Sequence, residues 1–382
     1  MANDKNFRIK NGLLAGRYLL SSGTATSGST PYDLAGASYD SVSFSVSGQD
    51  SFPSGITFNN DGTKMYMVGS TSDSVYQYSL STAFDLNTAS YDSVSFSVAS
   101  QGTTPTSIIF NNDGTKMFMS GSSTDSVYQY TLSTAFDLST ASYDSVSFSV
   151  VSQDTSPQGI VFNNDGTKMY MVGQDIDSVH QYSLSTAFDL STASYDSVSF
   201  SVASQEGAAT AITFNNDGTK MYVVGAGSDS VYQYTLSTAF DLSTTSYDSV
   251  SLSVASQDTG PRGIAFNNAG TKMYVVGSTN DSIYQYSTAS YTQTLDLSTG
   301  TTFSFTPSGA TTVSFTNPPA SGNAIGFSVE INGDGSAITW PSSVKWHLAT
   351  APTATASKEL YTFVTTNGGT TYYGKKAAEG LA

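Results

Sequence analysis

The sequence predicts an all-β protein: a five-bladed β-propeller of 52-residue repeats closed by an N-terminal strand, followed by a C-terminal β-sandwich-like domain. Three observations predict it. The phrase "FNNDGTKMY" at Phe58 returns, intact or with one substitution, at Phe110, Phe162, Phe214 and Phe266, always 52 residues on. Each repeat carries four strand signals and no 3.6-residue periodicity, which excludes helical repeats. The two ends of the repeated region are incomplete in complementary ways.

The third copy, Tyr143 to Ser194, shows the strands in order. "SVSFSV" alternates, with Val146, Phe148 and Val150 on one face and Ser145, Ser147 and Ser149 on the other. "GIVF" is a short apolar run after Pro157, and "KMYMVG" and "SVHQYSL" supply two further β-rich segments. Between "GIVF" and "KMYMVG" stands Asp165-Gly166, a hairpin signal because both residue types tolerate positive φ. Four short antiparallel strands at this period describe a propeller blade. A β-sandwich is the alternative, but nothing in it asks for a fixed unit.

The ends set the blade number. The alternating strand begins at Tyr39, Tyr91, Tyr143, Tyr195 and Tyr247. After the last "IYQY" the chain skips "SLSTAFDL", while "YDLAGASY" at Tyr32 to Tyr39 matches "FDLSTASY". The strand Ser41 to Val46 therefore completes the fifth blade and removes an open sheet edge. The expected division is an attachment or oligomerisation segment at 1–31, the propeller at 32–287 and a β-rich domain at 288–382.

Thirty acidic residues against fourteen basic ones give a net charge of −16, a field that repels nucleic acid and anionic lipid. Cysteine is absent, so no disulfide, thiolate metal site or cysteine nucleophile is available. The opening "MANDKNFRIKNGLLAGRYLL" has scattered charges and is expected not to be a signal peptide. No window reaches the length of a membrane-spanning helix, and membrane insertion is not expected.

The hairpin phrase "NDGTKMYMVG", Asn60 to Gly69, resembles the PDG-x-x-[LM]-Y-V unit of lactonase-like and surface-layer propeller repeats. That resemblance covers 32–287 and implies the fold without carrying catalytic residues. "KNFRIKNGLLAG" at Lys5 to Gly16 resembles the opening of tail-fibre and virion structural proteins of tailed bacteriophages. "DLSTG" (Asp296 to Gly300), "SFTNPPASG" (Ser314 to Gly322) and "ITWPSSVKW" (Ile338 to Trp346) are similar to a terminal domain of the same class. Asn367 and Tyr372 depart from its usual Asp and Trp.

These flanks imply a virion location, attachment to other virion proteins through the N-terminal segment, and a fibre-like or host-facing role. Such appendages are commonly trimeric, so a homo-oligomer is expected, although no coiled-coil heptads argue for one.

Function in a repeat protein is expected where the copies disagree. "NNDGT" and "STAFDLSTAS" are nearly constant and fall on one rim. The blade connections ("SFPS", "TTPT", "TSPQ", "GAAT", "TGPR") and the opposite hairpins ("STS", "SST", "QDI", "AGS", "STN") vary on the other. Loops on a rigid frame are where binding resides. From that rim Phe52, Asp154, Gln158, Gln174, Asp175, Ile176, Glu206 and Arg262 are the candidate binding residues: an aromatic ring, amides and a lone cation suited to a host-surface glycan. Neutral drift of exposed loops is an equally good account.

The expected function is host adhesion without catalysis, with a purely structural decoration protein as the alternative and a polysaccharide-degrading propeller as a weaker one. A glycosidase needs an asymmetric carboxylate pair. Here Asp73, Asp125, Asp177, Asp229 and Asp281 recur as one set and are read as turn formers. Asp154 and Glu206 share their position with Asp50 and Asp258, Gly102 alone breaking that set. His180 replaces a Tyr of the sister blades, and no triad motif surrounds it or His347. "DID" at Asp175 to Asp177 lacks the remaining oxygens of a calcium loop. No catalytic residue, metal ligand or cofactor is assigned. Trp340 and Trp346 are expected in a core.

Overall fold

A computed structural model describes residues 22–307, 309–347 and 349–381. Most of the expected N-terminal attachment segment therefore lies outside the described residues. The chain divides into two compact units, one of residues 31–289 and one that joins the N-terminal residues to 290–382.

The first unit is a ring of five four-stranded antiparallel sheets. Blade 1 comprises Pro53–Phe58, Lys64–Gly69, Ser74–Leu80 and Ala89–Ser97, from the axis outward. Blades 2 to 4 repeat it, beginning at Pro105, Pro157 and Ala209. Blade 5 takes Pro261–Phe266, Lys272–Gly277 and Ser282–Ser287, and its outermost strand is Ser38–Ser45 from the N-terminal side. Tyr39 stands opposite Tyr286 and Phe44 opposite Ile283, so the ring closes as the sequence predicts.

The alternating outer strand is interrupted by a bulge: Ser41, Ser93, Ser145, Ser197 and Ser249 each take φ near 60°. The tight turn at Asp61-Gly62 uses positive φ only at the glycine, at 71°. Asp61 caps it by accepting from the Thr63 amide at 2.9 Å, and that hydrogen bonding holds its carboxyl below the usual range. A Cβ on Gly62 would also lie 2.2 Å from the Phe84 ring, so no other residue fits.

Each blade's second strand is sandwiched by both neighbours, and Met65, Tyr66, Met67 and Val68 are wholly buried. Full burial of such a side chain contributes about 1.5–3 kcal/mol.

Three sets of polar bonds tie blade to blade. Gln77, Gln129 and Gln181 accept from the amides of Leu138, Leu190 and Leu242 in the next blade at 2.9, 3.0 and 3.1 Å. Gln233 reaches Leu34 at 3.1 Å and Gln285 reaches Leu86 at 3.4 Å, which completes the circle through the N-terminal strand. The hydroxyls of Tyr66, Tyr170, Tyr222 and Tyr274 donate to the carbonyls of Phe136, Phe240, Tyr32 and Phe84, each at 2.5 Å. Finally, Asn60, Asn112, Asn164, Asn216 and Asn268 form a closed ring in which each side-chain amide donates to the next backbone carbonyl.

The second unit is a two-sheet sandwich. One sheet holds Ala25–Thr30, Ser290–Asp296, Thr311–Thr316 and Ile338–Thr339. The other holds Thr302–Phe305, Ile325–Asn332, Lys358–Thr365, Tyr372–Leu381 and Val344–Trp346. Residues 25–30 thus form a strand of this unit, paired with Ser290–Asp296. Leu295, Phe303, Phe327, Trp340, Tyr361 and Phe363 fill its core, with Trp346 packed against it as expected. Wholly buried Glu359 is paired with Lys376 at 2.5 Å and Tyr361 at 2.8 Å.

Candidate functional site

The variable rim is built from two kinds of turn, and one carboxylate fastens them together. The chain leaves the outer strand of blade 5 at Val46, turns through Gln49 and brings Asp50 under the blade 1 hairpin of residues 70–73. Asp50 accepts from the amides of Phe52, Thr71 and Ser72 at 2.7, 3.3 and 2.8 Å, and from the Ser72 hydroxyl at 2.5 Å. A Cβ on Gly69 would fall 2.1 Å from its carboxyl carbon.

Asp154, Glu206 and Asp258 repeat this arrangement and are buried. Glu206 takes the amides of Ala208, Gly227 and Ser228 at 2.9, 2.8 and 3.2 Å. Asp154 takes that of Ser156 at 2.7 Å. Asp154 and Glu206 are therefore buried loop caps, and their expected place in an exposed binding surface is corrected. Gln158 is corrected for the same reason: it is buried and donates back to Ser156.

The eight expected residues do not form one site. Gln174, Asp175 and Ile176 stand with Asp154 and Gln158 on blade 3, where the Thr155 hydroxyl donates to Asp175 and Ile176 is 52% exposed. Phe52 and Arg262 meet at the junction of blades 5 and 1. The guanidinium carbon of Arg262 lies 4.9 Å from the Phe52 ring centroid, and its Nε donates to Ser278 Oγ at 3.2 Å. Burial lowers its pKa, against the opposing effect of Asp258. Among the described residues Arg262 enters no ion pair.

The recurring hairpin acids carry more than the turn assigned to them. Asp73, Asp125, Asp177, Asp229 and Asp281 do take positive φ, between 45 and 51°. The carboxyl of Asp177, moreover, reaches the next blade, accepting from the Ala209 amide at 3.2 Å. Oδ1 of Asp73, Asp125 and Asp229 is buried without a partner among the described residues. Burial, reinforced by neighbouring carboxylates, raises the pKa of Asp73, Asp177, Asp229 and Asp281. For Asp281 those neighbours are Asp258 and Asp50, on the two sides of the Arg262–Phe52 junction. The signal was present as two acidic positions with one fixed offset inside the repeat, but their meeting across adjacent blades needs the ring.

Along the axis lies a cavity of about 170 Å³ between the five innermost strands, lined by uncharged residues such as Ser54, Thr57, Thr106 and Thr213. No ionisable chemistry sits there. Among the described residues no three His, Cys, Asp or Glu are placed to hold a metal ion.

A family model described as "Lactonase, 7-bladed beta-propeller" matches residues 202–323, from the end of blade 3 through blades 4 and 5 into the second unit. The ring here has five blades. No curated protein matches the sequence. Among solved structures, a putative 6-phosphogluconolactonase from Bacteroides uniformis is 15% identical, with 59% of this chain and 64% of that one covered and a TM-score of 0.40. A periplasmic gluconolactonase from Pseudomonas aeruginosa is 17% identical, with coverages of 62% and 66% and a TM-score of 0.39. This chain thus spans slightly less than two thirds of the Bacteroides uniformis protein.

The family match overturns the expectation of a host-adhesion appendage. It covers blades 4 and 5, continues past the repeats, and carries the description of a lactonase. The propeller is upheld, with a lactonase match over that stretch, whereas the bacteriophage and tail-fibre resemblance of the flanks finds no support. The expectation that the chain is not an enzyme is set against that same match.

Proposed function

We propose that the protein is a hydrolase of small cyclic esters, acting at the junction of blades 5 and 1. The observation that carries this reading is Arg262, a cation in no ion pair among the described residues, lying over the Phe52 ring at a junction whose two caps, Asp258 and Asp50, both act on Asp281 and help raise its affinity for a proton. Phe52, 37% exposed, offers an apolar floor for the ring of a lactone.

The Asp281 carboxylate accepts a proton from water as the oxygen attacks the lactone carbonyl, and the carbonyl oxygen becomes negative beside the Arg262 guanidinium. Collapse breaks the ring C–O bond, and the departing alkoxide recovers the proton from Asp281, leaving a hydroxy acid. A raised carboxyl pKa suits both halves of that transfer. The family match to lactonases agrees with the reaction class.

The test is the release of acid from a panel of aldonolactones, followed by pH-stat. Hydrolysis above the buffer rate is expected, with Arg262→Gln lowering kcat about 100-fold and Asp281→Asn removing the acid–base step. Hydrolysis indistinguishable from buffer across the panel, by protein with an intact melting transition, would sink the proposal.

A further inference from the structure

The five blades act as controls for one another, and blade 3 alone places a histidine beneath its variable hairpin. In blade 1 the Tyr76 hydroxyl donates to Ser72 Oγ at 2.8 Å, and Ser72 donates to the buried cap Asp50. In blade 4 the same chain runs from Tyr232 through Ser228 to Glu206. Blade 3 has His180, Ile176 and Asp154 at these positions, so both hydroxyls are gone.

His180 is 4% exposed, and neither ring nitrogen has a hydrogen-bond partner among the described residues. Asp154, for its part, has lost a donor. Its Oδ1 takes the Asp175 amide at 3.4 Å and its Oδ2 the Ile176 amide at 3.3 Å, whereas the matching second oxygen of Asp50 and of Glu206 also takes a serine hydroxyl.

A buried imidazole with two idle nitrogens beside a carboxylate with spare accepting capacity is unstable as an isolated arrangement. We infer that His180 and Asp154 form a proton-binding site that fastens the blade 3 hairpin: neutral His180 is joined to Asp154 through one water, and charged His180 draws the carboxylate off the amides of Asp175 and Ile176.

The groups facing the imidazole decide the direction. Asp154 is the one charged group felt there, from the blade connection, and the flanking strands set Met171 and Ser199 opposite His180. The Tyr195 ring, at 5.9 Å, comes from the outer strand. All are acidic or neutral. Burial nonetheless dominates and lowers the pKa of His180 from its ordinary value, Asp154 opposing. Protonation therefore occurs below the ordinary histidine range and competes with the folded hairpin. Its consequence is confined to Gln174, Asp175 and Ile176, which stand over the site.

The experiment is amide hydrogen exchange on the full chain, expressed as protection factors at about pH 7 and about pH 5. Protection at Asp175 and Ile176 is expected to fall about tenfold on acidification, while Ser72 and Ser228 keep theirs. His180→Tyr with Ile176→Ser, which restores the hydroxyl chain, is expected to abolish the fall. Equal loss of protection in all blades, persistence in the double variant, or no loss in the parent would each overturn the inference. Should the double variant not fold, an imidazole NMR titration of the parent decides: His180 resonances that titrate without moving the Ile176 amide overturn it too.

Discussion

The two rims of the propeller differ in where their bonds go, and that difference accounts for which one varies. On the constant rim the loops also cap themselves, as Asp61 does with Thr63, but three side chains of the repeat unit are aimed at another blade. The glutamines reach the next blade's leucine amides, the tyrosines reach its phenylalanine carbonyls, and the asparagines close a ring. A change there breaks a bond whose other half belongs to a different repeat. On the variable rim each acid mainly caps its own blade's loops. Those loops change chemistry, at constant length, without consulting their neighbours.

Ser54, Thr106 and Thr210 are the inter-blade exception on that rim, donating to the next blade's backbone at 2.7, 3.1 and 2.9 Å. Blades 3 and 5 abandon this bond and carry Gln158 and Arg262 instead. The longest side chains at that position are thus those released from structural work.

The comparison is broken most severely by opening the ring. Deleting residues 32–46 removes the outer strand of blade 5, the amide that Gln233 binds and the carbonyl that Tyr222 binds. Loss of the cooperative melting transition is expected, and a truncated protein that melts with the parent would refute the latch.

Next in size is Gln77→Leu, which strands the Leu138 amide and removes the donor to Asp92 at 2.8 Å. A loss of about 2–3 kcal/mol in denaturant unfolding is expected, because a buried amide is left unpaired. Asp50→Asn, on the other rim, keeps an acceptor for its own loop and should cost about 1 kcal/mol. If the two variants cost the same, the division between inter-blade and intra-blade bonding is wrong.

The fold was legible because the constant rim demands identical residues at every blade, so the period and the missing strand could be counted from the chain alone. The inter-blade glutamines were visible as a recurring "YQY" or "HQY", yet one buried glutamine in an alternating strand looks like any polar residue until the next blade is beside it. The candidate site was legible only in location. Variation identified the rim, but exposure could not be inferred from it: Asp154 and Glu206 sit in variable loops and are buried caps. Asp281 was dismissed because it recurs. Recurrence describes its turn, while its surroundings, with Arg262 and Phe52 at the same junction, are unique to one of five positions.

A smaller and opposite effect sharpens the same contrast. Blade 2 carries Phe118 where the other blades have Tyr, so the Phe188 carbonyl lacks the hydroxyl its counterparts receive. Phe118 is wholly buried against Phe162, and the phenol oxygen would enter a position already shaped for it in four sister blades. Phe118→Tyr is expected to stabilise by about 0.5–1.5 kcal/mol, the net worth of one hydrogen bond. A destabilised variant would show that the blades are less equivalent than the ring of bonds implies.

Asp281→Asn should move stability least, and its sign separates function from folding. A carboxyl whose folded pKa is raised binds more protons folded than unfolded. Its ionisation therefore weakens the fold as pH rises from the ordinary carboxyl range through the raised value. Replacing it with a neutral amide removes that penalty at neutral pH and changes nothing in acid. The melting temperature of Asp281→Asn is thus expected to rise slightly at neutral pH and to match the parent at low pH. Asp61→Asn should behave oppositely, because hydrogen bonds from Thr63 hold the Asp61 carboxyl below its usual range and its stabilising share is lost as pH falls. If Asp281→Asn lowers the melting temperature at neutral pH as Asp61→Asn does, Asp281 is one more turn residue and the junction loses its base.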